Sequence, residues 1–179
     1  MALRERLAAL RAPGVPRVLL LTALGMAAAY TAYAYVAPAL GPQAAAPLLF
    51  LYGLGAILGN FLAGYATDRW NAMLVLRIGY AAMALSMAGL ALFPELAWVL
   101  MFAWGASSWC QTPPQQHRLI GIAPREAALL VSLNSSCIYL GIGAGTLLGG
   151  LVLPAVFAVG ALLAVLALGW TLAGPYPRI

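Results

Sequence analysis

The sequence predicts an all-α membrane protein of six transmembrane helices with both termini in the cytoplasm, and three observations predict it. First, 64% of the 179 residues are hydrophobic and 7% are charged; that is about 115 apolar residues, and one bilayer-spanning helix takes roughly 20. Second, the apolar residues fall into six runs near spanning length, parted by proline, glycine or charge. Third, all nine basic residues are arginine, and they gather at alternate connections. The same composition excludes a water-soluble enzyme, a disordered tail and a secreted disulfide scaffold. A formal net charge of +5 would suggest nucleic acid in a soluble protein; here it marks the cytoplasmic face.

Residues 1–16 form an N-terminal cytoplasmic or interfacial segment. Leu3, Leu7 and Leu10 stand at helical spacing among Arg4, Arg6 and Arg11, a pattern that suits both an interfacial helix and a solvated tail. The apolar run that follows is longer than the core of a cleaved signal, so a cleaved leader is not expected. The six runs are Arg17 to Pro38, Pro47 to Thr67, Met73 to Phe93, Leu96 to Pro113, Glu126 to Gly149 and Leu151 to Leu172. They define a bundle over 17–172, with 173–179 as a cytoplasmic tail. Arginines occupy the N-terminal segment, the second connection (Arg69, with Arg77 just beyond), the fourth (Arg118, Arg125) and the C-terminus (Arg178). The first connection, Ala39 to Ala46, carries no charge, the third has only Glu95, and the fifth is almost absent near Gly150. By the positive-inside rule both termini are cytoplasmic. Cys110 and Cys137 lie in apolar stretches and His117 is the single histidine; neither a metal site nor a cofactor is expected.

Two local patterns carry mechanism. The second connection reads Gly64, Tyr65, Ala66, Thr67, Asp68, Arg69, Trp70, Asn71. An aspartate at such a helix end can face the positive N-terminus of another helix, an attraction that can be broken and remade as a bundle rocks. The fifth helix carries Gly141, Gly145, Gly149 and Gly150, and the second carries Gly55, Gly59 and Ala63. Small residues four apart let helix backbones approach closely.

These patterns resemble the G-x-x-x-D-R-x-G-R-R and G-x-x-x-G-P-x-x-G-G signatures of the major facilitator superfamily. Gly64, Asp68 and Arg69 match the first, with Asn71, Ala72 and Met73 in place of the usual glycine and basic pair. The second has Thr146 where the proline would stand. Leu133, Asn134, Ser135 and Ser136 before the glycine run look most like the C-terminal half of sugar- and drug-efflux members. The resemblance covers nearly the whole chain. It implies two inverted three-helix repeats that make one half of a twelve-helix transporter, set in the inner membrane and moving a small organic or drug-like compound by alternating access.

Because the halves of such transporters are parallel, two copies of one half can replace them, and a C2 homodimer is expected. Its interface would set Gly55 and Gly59 of one chain against Gly141, Gly145 and Gly149 of a second copy, with Gly64, Asp68, Arg69 and Glu126 as gating residues. Half of a split transporter and a non-transporting assembly subunit are the alternatives. The resemblance also implies that the first and fourth helices line the cavity. Thr22, Met26, Tyr30 and Tyr33 share one face of the first, and Trp104, Ser108, Gln111 and Gln115 share one face of the fourth. The expected substrate-binding set is therefore Tyr30, Tyr33, Trp104, Ser108, Gln111, Gln115 and Asn134, which suits a small amphipathic or apolar solute. For Asn134, as for Asn60, hydrogen bonding between helices is an equal expectation. The prolines and glutamines of Gln111 to His117 should break the fourth helix. Asp68, Glu95 and Glu126 all fall at span ends, so no mid-membrane carboxylate is offered to a proton. No nucleophile, base and acid converge at a spacing that would suggest an enzyme.

Overall fold

The computed structural model describes residues 12–173. Most of the N-terminal segment and nearly all of the C-terminal tail expected above lie outside the described residues. Within them the chain forms eight α-helices: α1 (Val15–Tyr33), α2 (Val36–Leu40), α3 (Pro42–Arg69), α4 (Ala72–Leu92), α5 (Ala97–Trp109), α6 (Thr112–Ile122), α7 (Ala127–Leu151) and α8 (Val156–Leu172). Prolines start many of them, since the first turn of a helix has no use for the missing N–H. The 3-10 turns Pro94–Leu96, Pro124–Glu126 and Leu153–Ala155 lead into α5, α7 and α8. Gly41, at φ 98°, makes the left-handed turn from α2 into α3.

Asn71 explains one departure from the family signature. Its Oδ1 accepts from the backbone N–H groups of Met73 (2.8 Å) and Leu74 (3.3 Å). It is the N-cap of α4, a position where a short polar side chain satisfies donors that the helix leaves open.

Five helical segments are long and apolar enough to cross a bilayer: Val15–Tyr33, Pro42–Arg69, Ala72–Leu92, Pro124–Leu151 and Leu153–Leu172. The fourth expected run is instead divided into α5 and α6 at Cys110 and Gln111. Pro113 and Pro114 are the reason, because neither has an N–H to give to the carbonyl four residues back. The expected break is present, and the helix resumes beyond it. The second span begins at Pro42 rather than near Pro47, which lies inside α3.

α1 packs on α7 and α8, α8 on α4, α4 on α5, and α5 on α3. The helices thus follow one another around the bundle with α3 and α7 at the two ends of the order. α4 and α8 close one side; α1 and α5 meet on the other. The main core runs through α1, α3, α4, α5 and α8, with Leu21, Tyr52, Tyr80, Met83, Met87, Met101, Trp104 and Phe157 in it. A smaller cluster of Val15, Val18, Leu19, Leu119 and Leu130 fastens α1, α6 and α7 at the end where α1 begins. At that same end the Arg17 guanidinium donates to the carbonyls of Trp170 (3.4 Å) and Ala173, and Arg77 donates to Thr171 O (3.1 Å). Two cations from α1 and α4 therefore serve the open carbonyls and negative dipole end of α8.

The glycine faces expected between two copies are taken up inside one copy, which corrects that assignment. A Cβ built on Gly55 would stand 2.1 Å from the carbonyl oxygen of Phe102, and one on Gly59 2.1 Å from that of Ala106. Those glycines seat α3 on α5. Gly141, Gly145 and Gly149 meet the carbonyl oxygens of Ala23 (2.4 Å), Ala27 (2.4 Å) and Thr31 (2.0 Å) in the same sense, so they seat α7 on α1. Distances this short leave no room for any side chain, nor for a second molecule.

Candidate substrate surface

A largely apolar surface lies where α3 runs beside the end of α5. An open recess of about 490 Å³ lies there, lined by Ala56, Ile57, Asn60 and Phe61 of α3 and by Trp109 of α5. Ala56 and Asn60 are one turn apart and lie next to Gly55 and Gly59, so the close approach of α3 to α5 also sets the floor of the recess. None of the lining residues is ionisable. The recess offers an indole, a phenyl ring and one amide, a set that can stack on a ring and hydrogen-bond a neutral polar group.

Tyr30 of α1 extends this surface. It neighbours Tyr33 and Trp109. Its ring lies 5.0 Å from that of Tyr33, and the contacts continue inward from Tyr33 to Tyr52 (4.9 Å), from Tyr52 to Trp104 (4.8 Å) and from Trp104 to Phe157 (5.8 Å). This ladder of tilted and edge-on rings runs from the partly exposed face of α1 into the middle of the bundle.

The other residues expected to bind substrate sit within the bundle. Trp104, Ser108, Gln115 and Asn134 are 0% exposed and Gln111 is 1% exposed. Ser108 and Gln111 use their polar side-chain atoms on the protein, whereas Trp104 Nε1, Gln115 Nε2 and Asn134 Nδ2 are buried with no hydrogen-bond partner among the described residues. Ser108 Oγ donates to Trp104 O at 2.7 Å. Gln111 Nε2 donates to Ser108 O at 2.9 Å, while Gln111 Oε1 accepts from the Tyr80 hydroxyl at 2.9 Å. Thr22 donates to Asn134 Oδ1 at 2.8 Å, which joins α1 to α7. Arg118 donates to Gln115 Oε1 at 2.8 Å and is itself buried inside α6, not exposed in a connection. Of the expected set, the structure brings only Tyr30 and Tyr33 to the partly open surface. Asn60, weighed above between a helix contact and a substrate contact, lines the recess beside them, as does Trp109, which was not singled out.

The expected gating residues are spread over one end of the bundle. Asp68 and Arg69 are exposed at the C-terminal end of α3, and Glu126 closes the 3-10 turn ahead of α7. Gly64 faces α6, where its Cβ position is 4.0 Å from Pro113 Cβ.

An all-helical bundle with several bilayer-length helices and close glycine-mediated packing has the build of a multi-pass membrane protein. The chain belongs to the Major Facilitator Superfamily, whose sequence profile matches residues 18–179. It is a multi-pass inner-membrane protein. It is 32% identical to the inner membrane transport protein YdhP of Escherichia coli (strain K12), over 92% of this chain and 46% of that protein. It is 27% identical to a probable sugar efflux transporter of Helicobacter acinonychis (strain Sheeba), over 90% of this chain and 44% of the other. An uncharacterized MFS-type transporter, YbcL, of Bacillus subtilis (strain 168) is 26% identical over 66% of this chain and 33% of its own length. The chain thus spans less than half the length of these relatives.

Proposed function

We propose that this chain is one half of a transporter that moves a small uncharged organic compound across the inner membrane by alternating access, and that a second copy packed in parallel supplies the other half. The uncharged recess at Asn60 and Trp109, with Tyr30 beside Trp109, is the observation that carries the reading. A ring compound can stack on Trp109 while a hydroxyl or carbonyl pairs with the Asn60 amide. Because one relative is named a probable sugar efflux transporter, a polyhydroxy ring compound is the first class to test, and export the first direction.

In this reading α5 and α6 cross the membrane together as the fourth of six spans, and both termini are cytoplasmic. With the glycine faces occupied, the second copy meets the flanks of α3 and α7, where Ile57, Phe61, Tyr139 and Leu147 are more than two-thirds exposed. Asp68 and Glu126 then stand on the moving edges, where charge contacts between copies can form and break. Tyr33, Trp104, Ser108, Gln111, Gln115 and Asn134 support the substrate surface from within.

The test is uptake into liposomes that contain the purified chain alone. Protein-dependent flux of a labelled sugar or a small neutral aromatic compound is expected. Asn60→Ala and Trp109→Ala should each lower it on the order of tenfold, the loss of one well-placed contact, with no change in detergent-solution mass. No flux with the chain alone, but flux once a separate half is added, would replace the homodimer by a split transporter. Flux that both substitutions leave unchanged would remove the recess from the mechanism.

A further inference from the structure

We infer that Gln111, Tyr80 and Gly25 form a clamp that holds the α5–α6 junction in register with α1 and α4, making them positioning residues for Trp109. The junction needs such a clamp. Pro113 and Pro114 withhold the two backbone donors that the carbonyls of Trp109 and Cys110 would receive in an unbroken helix. Inside a membrane protein, freed backbone groups have to be served by side chains or neighbouring helices.

Gln111 does not reach those two carbonyls, but both ends of its amide brace the residues on either side of them. Its Nε2 donates back to Ser108 O at 2.9 Å, which holds the last turn of α5 from the inside. Its Oε1 accepts from Tyr80 of α4 at 2.9 Å, and the same hydroxyl lies 3.4 Å from Leu21 O of α1. One buried node therefore ties α1 and α4 to the break at the end of α5. Gly25, one turn along α1 from Leu21, completes it by omission. A Cβ there would fall 2.2 Å from Gln111 Oε1 and 2.7 Å from Tyr80 Cε1. Glycine at 25 is thus needed for the amide to occupy its place, which is a different requirement from the backbone-to-backbone contacts made by Gly141 and Gly145.

The consequence falls on Trp109, two residues before Gln111 and at the wall of the recess. While the clamp is closed, the end of α5 has one position and the indole is presented at the recess. When it opens, the residues around the proline pair are released together. The geometry of the clamp stands apart from the transport reading; only its bearing on flux rests on that reading.

Cys110 lies inside the junction, with its thiol 3.1 Å from Ser107 O, and is partly buried. With Cys137→Ser as background it is the one thiol in the chain, so its alkylation by N-ethylmaleimide reports junction opening. The full chain in liposomes is used. Tyr80→Phe removes one hydroxyl and keeps the ring, and Gln111→Met removes the amide and keeps the length. Each should raise the alkylation rate about 5-fold, the factor expected when one buried hydrogen bond is lost. Gly25→Ala should do the same without touching either hydrogen-bonding group. Ser86→Ala, which removes a buried hydroxyl bonded within its own helix to Met83 O, should leave the rate at that of the background. Rates for Tyr80→Phe and Gln111→Met equal to the background would overturn the clamp, whatever the flux assay gives. A raised rate in the Ser86→Ala control equal to theirs would overturn it too, since the effect would then be general loosening.

Discussion

Gly143 and Gly145 lie two residues apart on α7 and have opposite surroundings. Nothing lies within 4 Å of a Cβ at Gly143, whereas one at Gly145 meets Ala27 O at 2.4 Å. Gly145→Ala must therefore push α7 off α1 and should cost about 1–3 kcal/mol, the range for overpacking a filled interior. Gly143→Ala should stay within about 0.5 kcal/mol of the parent. Unfolding midpoints in detergent check both, and neither change should alter the mass of the assembly. An equal effect at the two positions would contradict the packing described for α7. The glycine spacing was legible in the sequence as a close contact. Its partner was not, because two helices of one chain and two helices of different chains use the same small-residue geometry.

At the scale of elements, the break between α5 and α6 was legible because two adjacent prolines cannot sit inside an unbroken ladder of hydrogen bonds. The stripe of Trp104, Ser108, Gln111 and Gln115 was also legible as one face of a helix. The direction of that face was not. In water a polar stripe points outward, but in a bilayer polar groups turn toward protein as readily as toward a cavity. Trp104 and Trp109 are five residues apart, about 140° around a helix at ~100° per residue. The first is consequently interior and the second lines the recess. Replacing both Pro113 and Pro114 by alanine restores the two missing donors and should join α5 to α6. Amide hydrogen exchange over residues 109–118 should slow about tenfold, as expected for added backbone hydrogen bonds, and flux should fall as the junction stiffens. Unchanged exchange would show that the prolines do not govern the break.

At the scale of the whole molecule, composition and the placement of arginine carried the most information. They gave the all-helical membrane class and the grouping of helix ends, since apolar length and positive charge act over the entire bilayer and need no knowledge of packing. Arg17, Arg69, Arg77 and Arg118 all lie at one end of the bundle or on the segments that lead to it. The orientation proposed above is checked with reporter fusions. A fluorescent protein after Ile179 should fold and fluoresce on the cytoplasmic side, and alkaline phosphatase placed after Gly41 should be active on the opposite side. The reverse pattern would invert the topology. The recess was not legible at this scale, because it depends on which flank of α3 lies beside the end of α5.

The grip of Arg17 on the Trp170 and Ala173 carbonyls brings the start of the first helix beside the end of the last. The order in which the helices are threaded is then separable from how they pack. A circular permutant that begins at Ala72, runs through α8, and rejoins Ala12 through a short polar linker crosses the membrane the same number of times in the same senses. It should fold to the same bundle, with the unfolding midpoint within a few degrees of the parent. In such a molecule α4 leads and α1 to α3 trail, so assembly would be set by contacts across the bundle and not by the order in which the helices leave the ribosome.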